Sequence, residues 1–462
     1  MTHKAQTKAI PNPKPDSSIV SKGDGGLEIE SEPEYTNIHR PLHGTRLVPP
    51  YCRKSTAAAL IGNILEHYDS ALYGFLAPIL APLFFPSDDL IISLMLAYAL
   101  LPLGIISRIG GSLIFGRMGD KQGRKRALSL SIFGMAIITG SMGLLPTYDT
   151  VGMWAPAGLA LCRILQGLFA SGESLGGAQF LLEHHGEAKK GLLSSLYSAS
   201  TILGILGASA AVVLLTYFSL NWRYLYGVGF MTGFAGIFLR LQSKESPEFL
   251  ASQAVLSLES LPTSVQLYWR EIFCLIVVSG YSYITYALSF QFINGFVPLV
   301  TSITLSELMV MNTLLLVGDM FLLPVFGFLA DRYSHHKLMI SSLLVSLIIA
   351  VPLFSNLEGA SLWHIIALRT GIVFMGVWFS APFHAWAKEL FPVRCRYTLI
   401  SLGYSIGTPL IGSSTSVICL WMWHETHLTQ VPGLYWFFWS VICLVALNWI
   451  RAHQKSLTNP TG

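Results

Sequence analysis

The sequence predicts an all-α integral membrane protein, with twelve transmembrane helices arranged as two six-helix halves. Three observations carry that expectation. Of 462 residues, 52% are hydrophobic and only 12% are charged, with mean hydropathy +0.56; a soluble domain carries about 25% charge. Twelve apolar stretches are long enough to cross a hydrocarbon core of ~30 Å. One short, glycine-bearing, charge-dense loop is used twice between apolar segments: GRMGDKQGRKRAL at Gly116–Leu128 and, in weaker form, GFLADRYSHHKLM at Gly327–Met339. A duplicated helical bundle is the architecture of carriers rather than of membrane enzymes.

The elements follow in order. Residues 1–54 are polar, with Pro, Gly, Ser and mixed charge. They cannot bury a core and are expected to form a disordered cytoplasmic tail with no cleavable signal peptide. The first span is expected at 55–83, and the acidic loop Pro86–Asp89 leads into the second at 89–117. After the first Gly-rich loop come spans at 126–145, 152–182, 190–218 and 222–241, completing a half at 55–241. The linker 242–268, with Lys244, Glu245, Pro247 and Pro262, divides the spans six and six and is expected to hold a short surface helix. The second half, 269–451, places spans at 269–300, 306–331, 336–355, 361–388, 394–423 and 431–451, before a tail at 452–462.

Charge placement sets the expected orientation. Arg117, Lys121, Arg124, Lys125 and Arg126 share one loop, Lys189 and Lys190 another, and Arg332, Lys337, Lys388, Arg394 and Arg396 fall in later ones. The alternate loops are nearly free of Lys and Arg, so both termini are expected in the cytoplasm, as an even number of spans also requires. The six cysteines show no CxxC or metal spacing and are expected to be reduced. The halves also repeat beyond the loop: Arg163 and Glu183 recur as Arg369 and Glu389, 206 positions later, and the loop itself recurs after 211.

Specific motifs sharpen this. Gly62–Pro82 reads GNILEHYDSALYGFLAPILAP, Arg108–Lys125 reads RIGGSLIFGRMGDKQGRK, and Arg163–Glu183 reads RILQGLFASGESLGGAQFLLE. Trp222–Arg223 opens the sixth span, ESPEF stands at Glu245–Phe249, and ELFPVRCRYTLISLGYSIG at Glu389–Gly407. In these segments, over about residues 55–450, the chain resembles the major facilitator superfamily, and within it the metabolite:proton symporters, most nearly the proline/betaine group. The resemblance implies the major facilitator fold, a central cavity opening alternately to each side, and a Gly-rich loop that stabilises one side of that cycle. The chain departs from the pattern at His67 and Ser70, where the family has Trp and Phe, at Ile109 for Pro, and at Ser334, His335 and His336, where the second loop has lost its Gly-Arg-Arg. That loss implies a weaker second gate.

Several residues could carry the chemistry. Glu66 and Asp69 sit ~16–21 Å into the first span, near the bilayer middle, where ionisable groups line cavities or relay protons. With Tyr73 they are expected on one helix face. Arg163, Gln166 and Glu173 share a face of the fourth span. Arg163 could clamp a substrate carboxylate or neutralise Glu66 or Asp69, and Glu173 is either a second proton site or part of a buried ion-pair network. Arg369 repeats Arg163, and Asp319 is similarly deep in the eighth span. Tyr281, Tyr283, Tyr286, Phe290, Trp378 and Trp386 could form an aromatic cage for a quaternary ammonium, with Trp378 facing the cavity, or could be packing. Gly116, Asp120, Gly123, Arg124 and Lys125 form the gating loop, in which the acid caps a facing helix or pairs with basic residues. Asp331 and Arg332 stand in the second copy, and Glu183 and Glu389 are counted with the gates. Adjacent histidines diverge around a helix, so His184–His185 and His335–His336 are not expected to bind metal.

The expected function is proton-coupled uptake of a small zwitterionic osmolyte, proline- or betaine-like, across the cell inner membrane by alternating access. An organic-acid symporter is the alternative; a second carboxylate would need a second cation such as Arg369. A transport-inactive nutrient sensor is the alternative of another class. No GxSxG nucleophile or His-rich box suggests an enzyme. The expected partners are a small solute, the proton and the bilayer, with no nucleic acid, cofactor or metal, and the chain is expected to be monomeric.

Overall fold

The structure, a computed structural model, describes residues 51–88, 90–185, 189–253, 261–303, 305–355 and 357–458. Asp89 and nearly all of the expected N-terminal tail lie outside the described residues. Twelve long helices cross the molecule: α1 (Tyr51–Phe84), α2 (Leu90–Gln122), α3 (Arg124–Leu144), α4 (Trp154–His185), α5 (Lys190–Tyr217), α6 (Arg223–Gln242), α7 (Trp269–Val300), α8 (Leu305–Tyr333), α9 (His335–Leu353), α10 (Leu362–Leu390), α11 (Arg396–Thr426) and α12 (Val431–Thr458). Among the described residues, nine stretches are long and apolar enough to span a bilayer by length and composition. Helices α1, α2 and α4 match them in length and carry Glu66, Asp69, Arg108, Asp120, Arg163 and Glu173, while residues 90–107 of α2 hold no charge. The linker contributes two short helices, Pro247–Gln253 and Leu261–Leu267.

Large apolar side chains cover the outside, among them Trp154, Trp363, Ile348 and Val213, all more than half exposed. Such a surface is stable only against hydrocarbon. Within the first six helices, α1 packs on α4, α5 and α6, and α3 on α4 and α6; within the last six, α7 packs on α10, α11 and α12, and α9 on α12. The two sets meet where α2 runs beside α11 and α5 beside α8.

Three irregularities interrupt the described helices of the second set, two of them at the junction with the first. Pro409 lacks the N–H that would continue the α-helical ladder, and α11 widens into a π-helical turn at Thr408–Ser413. Helix α7 has a π turn at Leu288–Phe292, where the Ser289 carbonyl accepts from Arg369 at 2.9 Å. Helix α10 breaks at Ala381–Pro382. There Ser194 of α5 donates to the Ala381 carbonyl at 2.7 Å and accepts from the His384 N–H at 3.1 Å.

Candidate functional site

The hydrogen bonds joining the two sets of helices gather at one end, where both Gly-rich loops lie. In the first loop, Asp120 reaches the N-terminus of α11. Its Oδ1 accepts from the Tyr397 N–H at 3.2 Å, and its Oδ2 from the Thr398 N–H at 2.9 Å and the Thr398 hydroxyl at 2.6 Å. The first turn of a helix leaves its N–H groups unpaired, so a carboxylate there satisfies donors and meets the positive end of the dipole. Gly116 makes this approach possible, since a Cβ there would lie 2.7 Å from the Thr398 Cα. Arg124, fully buried, pairs with Asp120 at 3.2 Å and grips Glu183 through Nε and Nη2 at 3.1 and 3.3 Å. Glu183 also takes Arg396 at 3.3 Å, which bonds Glu248 of the linker at 2.7 Å; Glu248 in turn holds Lys388 at 2.5 Å.

The second loop repeats this plan on α5. Asp331 accepts from the Gly191 and Leu192 N–H groups at 2.6 and 3.0 Å. His335 stands in the place of Arg124, 3.9 Å from Asp331 and 3.2 Å from Glu389, and Lys190 reaches Glu389 at 3.7 Å. Lys125 bonds the linker instead, donating its N–H to Glu245 and its ammonium to the Leu241 carbonyl. Arg332 lies exposed over the Tyr333 ring. His184 and His185 bond backbone carbonyls of their own helix, His184 stacking on Phe180.

Deeper in the molecule a polar cavity opens between the sets. Arg108 of α2 and Ser171 and Ser174 of α4 face Ser401, Tyr404, Ser405 and Thr408 of α11. Behind Arg108 lies Glu66, whose Oε1 accepts from the guanidinium at 3.0 Å and from Ser70 at 3.3 Å. The other carboxylate oxygen is 2.7 Å from His67 Nδ1, which also lies 3.0 Å from the Asn63 carbonyl. Both neighbours of that nitrogen are acceptors, so it carries a hydrogen. Arg108 keeps 28% side-chain exposure and Glu66 none; the cation faces the cavity and the acid backs it.

Several expectations change here. Glu66 is neutralised by Arg108, not by Arg163. Asp69 turns to other neighbours: Thr139 of α3 donates to it at 2.8 Å, and its Oδ1 lies against Gly229 of α6. A three-residue step rotates the side chain enough to move it from one neighbouring helix to another. Tyr73 donates to the Ala97 carbonyl at 2.7 Å and lies under the Arg163 guanidinium at 4.4 Å. Arg163 donates to Gln166 at 2.5 Å, and no carboxylate of the described residues pairs with it. Glu173 has left that face. It is fully buried against Arg240 of α6 at 2.5 Å, which is the ion-pair reading. Arg369 bonds the Leu308 and Ser289 carbonyls and the Asn312 side chain, so it ties α7 to α8. The six-residue aromatic cage does not assemble. The Tyr281 hydroxyl meets Trp436 and Ser440 in the core, Trp386 is buried beside Phe383, and Trp378 stacks one face on Phe326 at 5.6 Å. Tyr283, Tyr286 and Phe290 remain as one contiguous aromatic row on α7.

Arg108 went unnoticed except as part of a motif. An arginine 18 residues into a 33-residue span calls for a partner, and the test that selected Glu66 would have selected it. Arg240 gave no such signal, because a cation in the last turn of a helix reads as an interfacial anchor.

A twelve-helix polytopic bundle, joined at one end by duplicated capping carboxylates and enclosing a polar cavity, defines a membrane carrier. Residues 54–261 match the family model for sugar (and other) transporters, and residues 279–462 the model for the major facilitator superfamily. The chain belongs to the major facilitator superfamily. It is 27% identical over 416 residues to the proline/betaine transporter of Escherichia coli (strain K12), covering 85% of this chain and 82% of that one. It is 26% identical over 421 residues to the glycine betaine/proline/ectoine/pipecolic acid transporter OusA of Dickeya dadantii (strain 3937), covering 85% and 82%. In fold it is similar to the proton:xylose symporter XylE bound to 6-bromo-6-deoxy-D-glucose, with TM-score 0.66 and 14% identity over 87% of this chain and 95% of that one.

Proposed function

We propose that the chain imports a small zwitterionic solute, proline- or betaine-like, together with a proton, by alternating access across the cell inner membrane with both termini cytoplasmic. The observation that carries this is the Glu66–Arg108 pair at the cavity wall. Arg108 is the cavity's cation, and a solute carboxylate competes with Glu66 for it. A proton on Glu66 removes that competition, so proton and solute favour the same loaded state. When the loop end opens, the solute leaves, the proton follows, and the ion pair re-forms. The loop-end clusters hold the carrier closed on that side, and in this orientation it is ready to load from outside. The substrates named for the similar proline/betaine carriers are zwitterions of this kind. The dicarboxylate reading loses support because Arg369, its expected second cation, is committed to backbone carbonyls.

The test is uptake of labelled glycine betaine and proline into proteoliposomes under an imposed proton gradient. The wild type should accumulate solute against its gradient. Glu66→Gln imitates the protonated acid and should abolish accumulation while leaving binding and counterflow intact. Normal accumulation by the variant sinks the coupling role of Glu66. Absence of counterflow with any zwitterion or organic acid points to the sensor.

A further inference from the structure

Asp319 lies on α8, is 9% exposed, and has no hydrogen bond or ion pair among the described residues. Its neighbours on α8, Leu315, Leu316, Leu322 and Leu323, are apolar, and they pack in one cluster with Tyr286 and Phe290 of α7. A buried carboxylate without a counter-charge is costly in such a site. Nothing in the packing offsets that cost, and no neighbouring helix depends on the acid for a cap or a bond. That cluster also holds Met320, next to Asp319, and Ala199 and Ile202 of α5, so it spans the junction between the two sets. Tyr286 packs against Tyr283 at 5.4 Å and Phe290 at 5.1 Å. Tyr283 in turn packs on Gly412, where an added Cβ would meet its own, in the π turn of α11 that begins at Thr408, a lining residue of the cavity. An aromatic row on α7 therefore runs from the π turn of α11 at the cavity toward an unpaired carboxyl group on α8.

We propose that Asp319, with the aromatic row of Tyr286 and Phe290 beside it, is the subsite that receives the positively charged end of the solute, opposite Arg108. This rests on the zwitterion reading above and assigns its two ends. A carboxylate and π faces together suit an ammonium, including a quaternary one that cannot donate hydrogen bonds. A dicarboxylate would bring its second charge against Asp319. The subsite thus selects zwitterions over organic acids, a discrimination by repulsion as well as attraction.

The experiment measures binding of labelled glycine betaine to the purified full chain in lipid nanodiscs. The competitor is 3,3-dimethylbutanoate, which has the same shape with a neutral carbon in place of the quaternary nitrogen. The wild type should prefer betaine by roughly tenfold or more, about 1.4 kcal/mol per decade. Asp319→Asn should lose that preference through weaker betaine binding, and Asp319→Glu should keep part of it. Because Asp319 is unpaired, the amide variant should elute as a single species and melt no lower than the wild type. Betaine preference unchanged within about twofold in Asp319→Asn overturns the subsite alone, and does so also if accumulation is lost, since Asp319 would then carry the proton. A wild type that binds 2-oxoglutarate but neither betaine nor proline overturns the zwitterion reading itself.

Discussion

Asp120 and Asp331 do the same work at opposite corners of the loop end, each capping a helix of the other set, but the clusters around them differ in depth and in chemistry. The first is dry: Arg124 and Glu183 have no exposed side-chain surface, and Arg396 retains 10%. The linker acids Glu245 and Glu248 are drawn into it. The second is open, with Glu389 at 47% side-chain exposure, and it has His335 where the first has Arg124. A duplicated bundle has only one linker, and that linker covers only one copy. Buried charges bind strongly but only in complete sets, whereas exposed ones are screened and individually weak. The first cluster is built to lock, and the second to yield.

The sharpest way to break this comparison is to remove the equivalent acid from each copy. Glu183→Gln removes the acid that Arg124 and Arg396 share and leaves them only Asp120 and Glu248; breaking a charged set in a dry site costs up to about 3–5 kcal/mol of the closed state. Glu389→Gln weakens two contacts, to His335 and Lys190, at a half-exposed acid, about 0–1 kcal/mol for each. Spin-label distances across the loop end should show wide opening in the first variant and little change in the second, and the thermal midpoint should follow the same order. Equal effects would mean the two copies share the load.

A smaller effect separates the two by the reach of the base. Arg124 grips both oxygens of Glu183 through two nitrogens, whereas one ring nitrogen of His335 reaches Glu389. A bidentate guanidinium pair is the stronger contact. His335→Arg should therefore shift the carrier toward the closed state by up to roughly fivefold, as for an exposed pair worth about 0.2–1 kcal/mol. Arg124→His should open the first copy by more. An unchanged closed-to-open ratio in His335→Arg would mean that the base does not set the difference between the copies.

The fold was legible because the bilayer leaves few choices. Length, apolarity and the repeat offsets pointed to twelve helices before any contact was known, and the doubled loop pointed to their pairing. The loop acids were legible too, since an Asp beside glycines at a helix end has a narrow set of uses. The cavity was much less so. Depth along a span follows from counting, but azimuth depends on where neighbouring helices stand. Glu66 and Asp69 are three residues apart and still address α2 and α3 respectively. Arg163 and Arg369 occupy equivalent places in the repeat, but only the second has carbonyls freed by a π turn within reach. Periodicity cannot signal a π turn, since it comes from local backbone rearrangement.

The smallest expected effect lies in the turn between the helices of each loop. Gly123 has φ of 102° and Ser334, its counterpart, φ of 99°. At that φ an L side chain crowds its own backbone, and the strain is of order 1–3 kcal/mol. Glycine removes it but loses up to about 1 kcal/mol through a freer unfolded chain. Ser334→Gly should therefore raise stability by roughly 1 kcal/mol, seen as a higher thermal midpoint. The reciprocal change should be worse than a simple reversal. A Cβ at Gly123 would meet the Glu245 carboxylate, which accepts the Lys125 N–H, and would sit 3.3 Å from the Phe249 ring. Gly123→Ser therefore adds a clash with the linker to the backbone strain. If the two substitutions give equal and opposite shifts, the linker does not brace the first copy, and the difference between the two clusters reduces to Arg124 against His335.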